Sequence, residues 1–209
     1  MSVIDQIAFY RGIRDEVPNQ ELAKELAQSK NASGIQEIVD HLTDKNENVR
    51  SDCIKVLYEI GYLEPQLIAP YTADFIKLLT NRQNRLVWGG MIALSTVAPI
   101  KAELLFEQRE RIIKTIDQGS VITMDAGIKA LAIVAAKDER YQKEISPYLM
   151  AFLRRCRLSD VPKLAEFIFV CVDGKNREEF ISILENRLPE MTSSQSARVK
   201  KLIRKLPSK

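Results

Sequence analysis

The sequence predicts an all-α protein, an α-α superhelix of about five to six antiparallel helix pairs. One pattern, first seen at 49–61, recurs at 86–98, 123–135 and 161–173, so its copies start 37, 37 and 38 residues apart. A second apolar pattern precedes each copy at a matching spacing. Hydrophobic residues make up 45% of the 209 positions, which is enough to bury a sizeable core. A fixed period of about 20 to 50 residues is typical of stacked repeats.

Residues 1–33 are expected to form an atypical first helix pair within a single domain that spans 1–209. We predict a short helix over 3–13, which a break at 17–19 ends, and a second helix over 21–29. The apolar residues of the first helix share one face: Ile4, Ile7 and Ala8. Terminal repeats deviate from the pattern because one of their faces has no neighbouring repeat to cover it.

Residues 34–189 are predicted to form regular repeats of about 37 residues, each with a first and a second helix. Three apolar positions of the first helix share one helical stripe. The first position of the stripe holds Ile38, Phe75, Ile112 and Leu149. The third position holds Leu42, Leu79, Ile116 and Leu153. Breaks between the units are expected at these positions: Gly61, Pro65, Pro70, Pro99, Pro147 and Asp173-Gly174.

The second helix is the recurring pattern itself, and four of its positions fall on one buried face. Its small position holds Cys53, Gly90, Gly127 and Ala165. Its large position holds Leu57, Leu94, Leu131 and Phe169, and its last apolar position holds Ile60, Val97, Val134 and Val172. Glycine inside a helix costs about 1 kcal/mol relative to alanine, so its recurrence predicts a close approach of two helices.

Residues 190–209 are predicted to form a basic C-terminal capping helix. Before it, the first helix of a fifth repeat is predicted at 178–187, earlier than the repeat period would place it. Charge is unevenly distributed, because residues 1–60 carry a net charge of −4 and residues 190–209 a net charge of +5. The cations of the last helix suit a solvated cap, which end repeats need. Contact with phosphate groups is the alternative interpretation.

The second-helix pattern resembles that of HEAT-repeat and HEAT-like α-solenoid proteins, over about residues 34–206. The matching residues are Val49-Arg50 and Gly61, Gly90 with Ala93-Leu94, and Gly127 with Ala130-Leu131. The arginine of the family pattern is replaced by Val87, Met124 and Pro162 in the other units. The row of polar contacts that this arginine makes between successive repeats in the family should therefore be weak here. The resemblance implies the fold and leaves the function open.

The sequence contains few residues that suggest catalysis. Its three cysteines are widely separated and form no CxxC pair, which indicates small core residues rather than a metal or redox site. The one histidine, His41, has no second histidine with which to bind a metal. Common nucleotide-binding and hydrolase motifs are absent. We expect no cofactor and no enzymatic activity. Without an apolar run of membrane-spanning length or a signal-peptide pattern, we expect a cytoplasmic protein with no membrane contact.

The resemblance implies that the second helices line a concave surface. Helical angles then place several aromatic, aliphatic and basic residues away from the buried stripe. The candidate binding residues are Lys55, Tyr58, Tyr62, Trp88, Ile92, Lys129, Lys163 and Phe167. An apolar patch with a basic rim is typical of an interaction site. Two alternatives stay open, namely that these side chains pack on one another, or that the register of the fourth copy slips and buries Phe167.

The leading hypothesis is a non-enzymatic scaffold that binds a peptide or protein partner on the concave face. The alternative is a nucleic-acid-binding protein that resembles, in fold, the HEAT-like alkylpurine DNA glycosylases, and a lyase-like role is more remote. Residues that could serve the alternative are Tyr58, Trp88, Lys55, Lys129 and Asp125. A net charge of +3 and an acidic N-terminal third argue against a duplex binder. The oligomeric state stays open.

Overall fold

The protein is helical throughout the part that the structure, a computed structural model, describes. This part comprises residues 2–206, and it contains α-helices and short 3₁₀ segments but no strand. The chain forms two compact units, Met1–Gly127 and Ile128–Lys209. None of the helices within residues 2–206 combines the length and the apolar character that a bilayer crossing requires.

The first unit is organised around its longest helix, α3. Its helices are α1 (Val17–Ser29), α2 (Ala32–Asp40), α3 (Glu47–Leu63), α4 (Pro65–Ile68), α5 (Thr72–Leu78), α6 (Asn84–Val97), α7 (Ala102–Glu107), α8 (Arg109–Gln118) and the first half of α9 (Val121–Ala135). Helix α3 packs against α1, α2, α4 and α6, and α5 packs against α6. Helices α3, α6 and α9 begin at residues 47, 84 and 121, at intervals of 37 residues.

The predicted apolar stripes form the core of each unit. All four residues at the first stripe position, Ile38, Phe75, Ile112 and Leu149, are fully buried. In the second helices the three leucines at the large position are fully buried as well: Leu57, Leu94 and Leu131. Full burial of a leucine or phenylalanine side chain contributes about 1.5–3 kcal/mol, so these repeated positions supply much of the stability.

The small positions of the second helices permit the predicted close approach. A Cβ atom on Gly127 would lie 2.4 Å from Cγ1 of Ile116, and one on Gly90 would lie 3.1 Å from the carbonyl oxygen of Phe75. Contacts below about 3 Å force neighbouring atoms to move, which is costly in a packed core. Glycine is therefore retained inside these helices because a larger residue would separate the first and second helices.

The N-terminal segment differs from the prediction in two ways. Only Val3–Gln6 forms a helical segment, of the 3₁₀ type, where an α-helix over 3–13 was expected. The predicted break at 17–19 is wrong, because α1 begins at Val17 with Pro18 in its first turn. Proline is well suited to that place, since the first-turn N–H groups have no partner within the helix. The predicted burial of Ile4, Ile7 and Ala8 is nevertheless confirmed.

The second unit contains helices of very unequal length. They are α10 (Glu139–Arg155), α11 (Val161–Ile168), α12 (Arg177–Arg187) and α13 (Ser193–Ile203), after the second half of α9. Helix α10 packs against α11 and α12, and α11 packs against α13. The break expected at Pro147 is wrong, since this proline lies inside α10.

The fourth copy of the second-helix pattern loses its register near its end. Helix α11 stops at Ile168 and continues as a 3₁₀ segment over Phe169–Cys171. Phe169 and Val172, which were expected in the core, are only partly buried. A 3₁₀ segment advances three residues per turn, so it rotates the following side chains away from the α-helical stripe.

Helix α13 closes the described part of the chain with an efficient N-terminal cap. Thr192 and Gln195 form a capping box, in which each side chain bonds to the backbone N–H of the other residue. Val199 and Leu202 are buried. The helix begins at Ser193, within the predicted capping segment 190–209, because the capping box fixes its first turn there. The predicted end of the capping helix, at residues 207–209, lies outside the described residues.

Candidate functional site

Three aromatic rings meet where α3 packs against α6. Tyr58 and Tyr62 lie one turn apart on α3, with ring centroids 6.1 Å apart, and Trp88 of α6 lies 6.0 Å from Tyr58. We call these three residues the aromatic cluster. Tyr58 is 5% exposed, whereas Tyr62 is 54% exposed and Trp88 is partly buried. The cluster therefore has a buried base and an accessible rim.

An ion-pair network lies beside the aromatic cluster. Glu16, which precedes α1, contacts Nζ of Lys55 at 2.8 Å and Nη2 of Arg85 at 2.6 Å. Lys55 also contacts Glu59 at 2.8 Å, one turn along α3. The two cations lie over the aromatic rings, because Lys55 Nζ is 5.0 Å from the Tyr58 centroid and Arg85 Cζ is 5.8 Å from that of Trp88. We call Glu16, Lys55 and Arg85 the Glu16 bridge.

The Glu16 bridge keeps its charged groups ionised. The hydrogen bond from Lys55 lowers the pKa of Glu16, although partial burial opposes this effect. Burial alone would lower the pKa of Lys55, but its hydrogen bonds to Glu16 and Glu59 outweigh burial and raise that pKa. For the neighbouring Tyr58, burial raises the pKa of the phenol, which keeps it neutral. At neutral pH the bridge is thus a fixed arrangement of opposite charges.

Asp52 of α3 holds the N-terminal segment in place. Its carboxylate accepts a hydrogen bond from the backbone N–H of Phe9 at 2.8 Å and one from Nδ2 of Asn19 at 2.9 Å. Oδ1 of Asn19 in turn accepts from the N–H of Ala8 at 2.9 Å. Asn19 is almost fully buried. Sequence reasoning missed these residues, since nothing in the repeat period signals a contact between positions 33 to 43 residues apart.

Two of the predicted surface residues are not at the surface. Lys55 and Tyr58 are only 7% and 5% exposed, so the expectation that they face a concave groove is wrong. Helix α1 packs along α3 on this side, and Glu16 covers the lysine ammonium. The corresponding position of α6 is also enclosed, because Ser95 is 4% exposed. The prediction failed because it assigned only one stripe of each second helix to packing, whereas α3 has neighbours on more than one side.

The other candidate residues divide between the two units. Ile92 lies one turn after Trp88 on α6 and is partly buried. In the second unit, Lys129 lies on α9, and Lys163 and Phe167 lie one turn apart on α11, all three partly buried. The structure thus brings three predicted residues of the first unit into contact with a fourth, Tyr58, namely Lys55, Tyr62 and Trp88.

The described residues show no arrangement suited to metal binding. Within residues 2–206 no group of three or more histidine, cysteine or acidic side chains converges on one point. All three cysteines are buried, and burial raises the pKa of each thiol, that of Cys171 to about 12. Nδ1 of His41, directly after α2, lies 2.8 Å from the carbonyl oxygen of Glu37 on that helix. These groups serve the local structure.

Comparison with known proteins identifies the fold through structure rather than through sequence. No protein-family model matches the chain, and neither does any curated protein sequence. Its structure is similar to that of a computationally designed armadillo repeat protein for modular peptide recognition, with 14% identity, a TM-score of 0.67 and 97% of each chain covered.

Two further structures extend this comparison. One is a designed armadillo repeat protein in complex with the peptide (KR)4, with 13% identity, a TM-score of 0.65 and coverage of 96% of this chain and 98% of that one. The other is the karyopherin Kap121p bound to the SUMO protease Ulp1p, with 12% identity, a TM-score of 0.66 and coverage of 96% of this chain but 22% of the karyopherin. The chain is therefore an all-α solenoid of the armadillo/HEAT-repeat type, which confirms the predicted fold class.

Proposed function

We propose that this protein is a non-enzymatic scaffold that binds a peptide segment of a partner protein on the face formed by α3 and α6. The observation that carries the proposal is the accessible rim of the aromatic cluster. Tyr62 is 54% exposed although its ring packs edge-on against the buried Tyr58. Together with the partly buried Trp88 and Ile92, it forms what we call the α3–α6 surface.

The α3–α6 surface has the physical properties of a binding hot spot. Tyrosine and tryptophan are enriched at such spots, because rigid rings give a large contact area at little entropic cost. Here α3 and α6 hold the rings, and Arg85 stacks over Trp88 at 5.8 Å. A ligand would therefore meet a preorganised surface, which reduces the entropic cost of binding.

The structural neighbours support this class of function. Among the solved structures that share the fold, one was designed for peptide recognition, one holds the peptide (KR)4 and one holds the protein Ulp1p. A peptide or protein ligand for the present chain is our proposal from that likeness and from the α3–α6 surface. The nucleic-acid alternative is less well supported, because Lys55, one of the cations that it requires, is paired with the carboxylates of Glu16 and Glu59.

The experiment is a selection of peptides from a random display library against the full chain, followed by affinity measurements. We expect recovered peptides to bind a Tyr62→Ser/Trp88→Leu variant at least about tenfold more weakly, since aromatic hot-spot residues each contribute about 2 kcal/mol or more. The matched control is Val121→Ser/Ile122→Ser, because both of those residues are apolar and 46% exposed. Circular dichroism verifies that both variants remain helical.

The outcomes separate a specific surface from general stickiness. Equal weakening by the control variant would show that exposed apolar area alone captures peptides. Failure to recover any saturable binder would contradict peptide binding altogether. In the second unit, Lys163 and Phe167 stay candidate contacts, and a Phe167→Ser variant in the same assay determines whether recovered peptides also use α11.

A further inference from the structure

A cleft of about 690 Å³ lies in the first unit, away from the α3–α6 surface. The loop between α5 and α6 forms one wall, and one face of α8 forms the other. From the loop side come Leu79, Thr80, Asn81, Arg82, Asn84 and Val87. From α8 come Glu110, Arg111, Lys114, Thr115 and Gln118, with Gly119 after the helix. Arg111, Lys114 and Gln118 are spaced three and four residues apart, so they line one stripe of α8.

The cleft is basic, and its cations are not neutralised by the surrounding protein. Arg82, Arg111 and Lys114 line it against a single carboxylate, that of Glu110. Elsewhere in the same unit, Lys55 of α3 and Arg85 of α6 are both paired with the carboxylate of Glu16. Within residues 2–206 no ion pair involves any of the four charged residues of the cleft.

Further donors surround the three cations. Asn81, Asn84 and Gln118 contribute amide groups to the walls. Helix α6 begins at Asn84, and its first turn receives no side-chain cap. The N-cap residue, Gln83, instead directs its side-chain amide to Ser51 and to the carbonyl oxygen of Glu47. The cleft thus combines the positive end of a 14-residue helix with guanidinium, ammonium and amide donors.

We propose that this cleft binds the phosphate group of a phosphorylated ligand. A phosphate presents several acceptor oxygens in a tetrahedral arrangement, and guanidinium groups bind such oxygens in pairs. Arg82 comes from the loop between α5 and α6, Arg111 comes from α8, and Lys114 adds a third charge one turn along α8 from Arg111. Uncapped N–H groups at a helix start bind the same kind of anion. The inference does not depend on peptide binding at the α3–α6 surface.

The test is an NMR titration of the ¹⁵N-labelled full chain at low ionic strength with two probes. One probe is inorganic pyrophosphate, and the other is a phosphoserine tetrapeptide with its unphosphorylated form as reference. We expect saturable shifts of the amide signals at 80–85 and 111–119. A triple variant, Arg82→Gln/Arg111→Gln/Lys114→Gln, should weaken binding at least about tenfold, because it removes every charge-assisted bond of the cleft.

A matched variant controls for net charge. Lys200→Gln/Lys201→Gln/Arg204→Gln removes the same number of exposed cations from the end of α13 and the residue that follows it, and none of these three residues lines the basic cleft. It should leave both affinities within about twofold of the wild type, since distant surface charges are screened. Tighter binding of pyrophosphate would identify a free phosphorylated molecule as the ligand, and tighter binding of the phosphopeptide a modified protein.

Three results would overturn the assignment. They are the absence of saturable binding by either probe, equal binding of the unphosphorylated peptide, and equal weakening by the two triple variants. Because all six substituted residues are exposed, neither variant should change the fold, which the dispersion of the amide spectrum verifies.

Discussion

The two units use different interactions to hold their helices together. In the first unit the second helices are long and begin at a strict 37-residue interval, and glycines bring them close to the first helices. In the second unit α11 is only eight residues long and ends in a 3₁₀ segment. In the second unit, polar side chains donate hydrogen bonds to backbone carbonyl groups that have no partner within a helix, at the end of α10 and after α11.

Two positions of the second unit show this polar pattern. The carbonyl oxygen of Cys171 accepts hydrogen bonds from Gln142 at 2.9 Å and from Asn176 at 3.1 Å. Arg187 of α12 donates to the carbonyl oxygens at the end of α10, at distances of 2.6 to 2.9 Å, which belong to Leu153, Arg154 and Cys156. The last carbonyls of a helix have no partner within it, so a cation there satisfies them and also interacts with the helix dipole.

The comparison teaches that the first unit makes its polar contacts beside intact second helices, whereas the shortened repeat of the second unit uses polar side chains to satisfy backbone carbonyl groups at helix ends. Substitutions that remove apolar volume should affect both units alike. In the second unit, substitutions of the polar side chains that satisfy helix-end carbonyl groups should destabilise the fold more than substitutions of exposed ion pairs.

The largest effect is expected from removing a core ring. Phe75→Ala in the first unit and Phe180→Ala in the second should each lower the free energy of unfolding by about 3–5 kcal/mol, because both rings are fully buried. Urea denaturation followed by circular dichroism measures the loss. A loss below about 1 kcal/mol for either variant would show that the corresponding core is not packed as described.

The next largest effect should come from Arg187→Ala. Because it removes three hydrogen bonds from a charged donor, we expect the free energy of unfolding to fall by about 2–3 kcal/mol. The control is Arg154→Ala, which removes an exposed ion pair with Glu179 and should cost less than about 1 kcal/mol. Equal losses in the two variants would mean that polar contacts are no more important in the second unit than ordinary surface pairs.

A smaller effect is expected from filling a small position. Gly127→Val should lower the free energy of unfolding by about 1–3 kcal/mol, since its Cβ would collide with Ile116. Gly174 lies in a loop of the second unit, where an added Cβ atom would have no neighbouring atom within 4 Å. Gly174→Val should therefore change the free energy of unfolding by less than about 0.5 kcal/mol. Thermal unfolding of both variants and the wild type measures the two changes in stability. A tolerated Gly127→Val would refute the close approach.

The smallest effect concerns two carboxylates and depends on pH. The pKa of Glu16 is lowered by Lys55 and that of Glu166 by Arg198, so each carboxylate stabilises the fold at neutral pH and loses this effect as the pH falls through its lowered pKa. Both side chains are more than one-third exposed, so we expect at most about 1 kcal/mol from each. The Glu16→Gln loss should be the larger, because Lys55 is buried whereas Arg198 is exposed.

Denaturation at a series of pH values tests this difference. For both glutamine variants the gap from the wild type should be fully present at about pH 7 and should shrink below about pH 4. A gap that persists in acid would show that the variants disturb packing rather than charge.

The sequence predicted the fold because apolar residues recur at a fixed period. Positions such as Phe75 and Leu131 are specified by their local helix and their repeat, and both are fully buried. The second helix of the fourth copy was only partly predicted. Where it ends, the carbonyl oxygen of Cys171 accepts bonds from Gln142 of α10 and from Asn176, which precedes α12, and periodicity does not reveal these contacts.

The candidate site was predicted less well for a related reason. The surface location of Tyr62 follows from its helical angle, but the burial of Lys55 depends on Glu16, 39 positions earlier in the chain. The basic cleft was missed as well, because its cations come from a loop and from a first helix. The prediction considered only the second helices as a possible binding surface.

The burial of the three cysteines gives the protein a useful chemical property. Since burial raises the pKa of Cys53, Cys156 and Cys171, few thiolates form near neutral pH, and the sulfur atoms are shielded from reagents. A single cysteine introduced at the 54% exposed position of Tyr62 would therefore be the fast-reacting thiol of the chain. The wild-type background can thus carry a fluorophore or spin label at the α3–α6 surface without prior removal of its native cysteines.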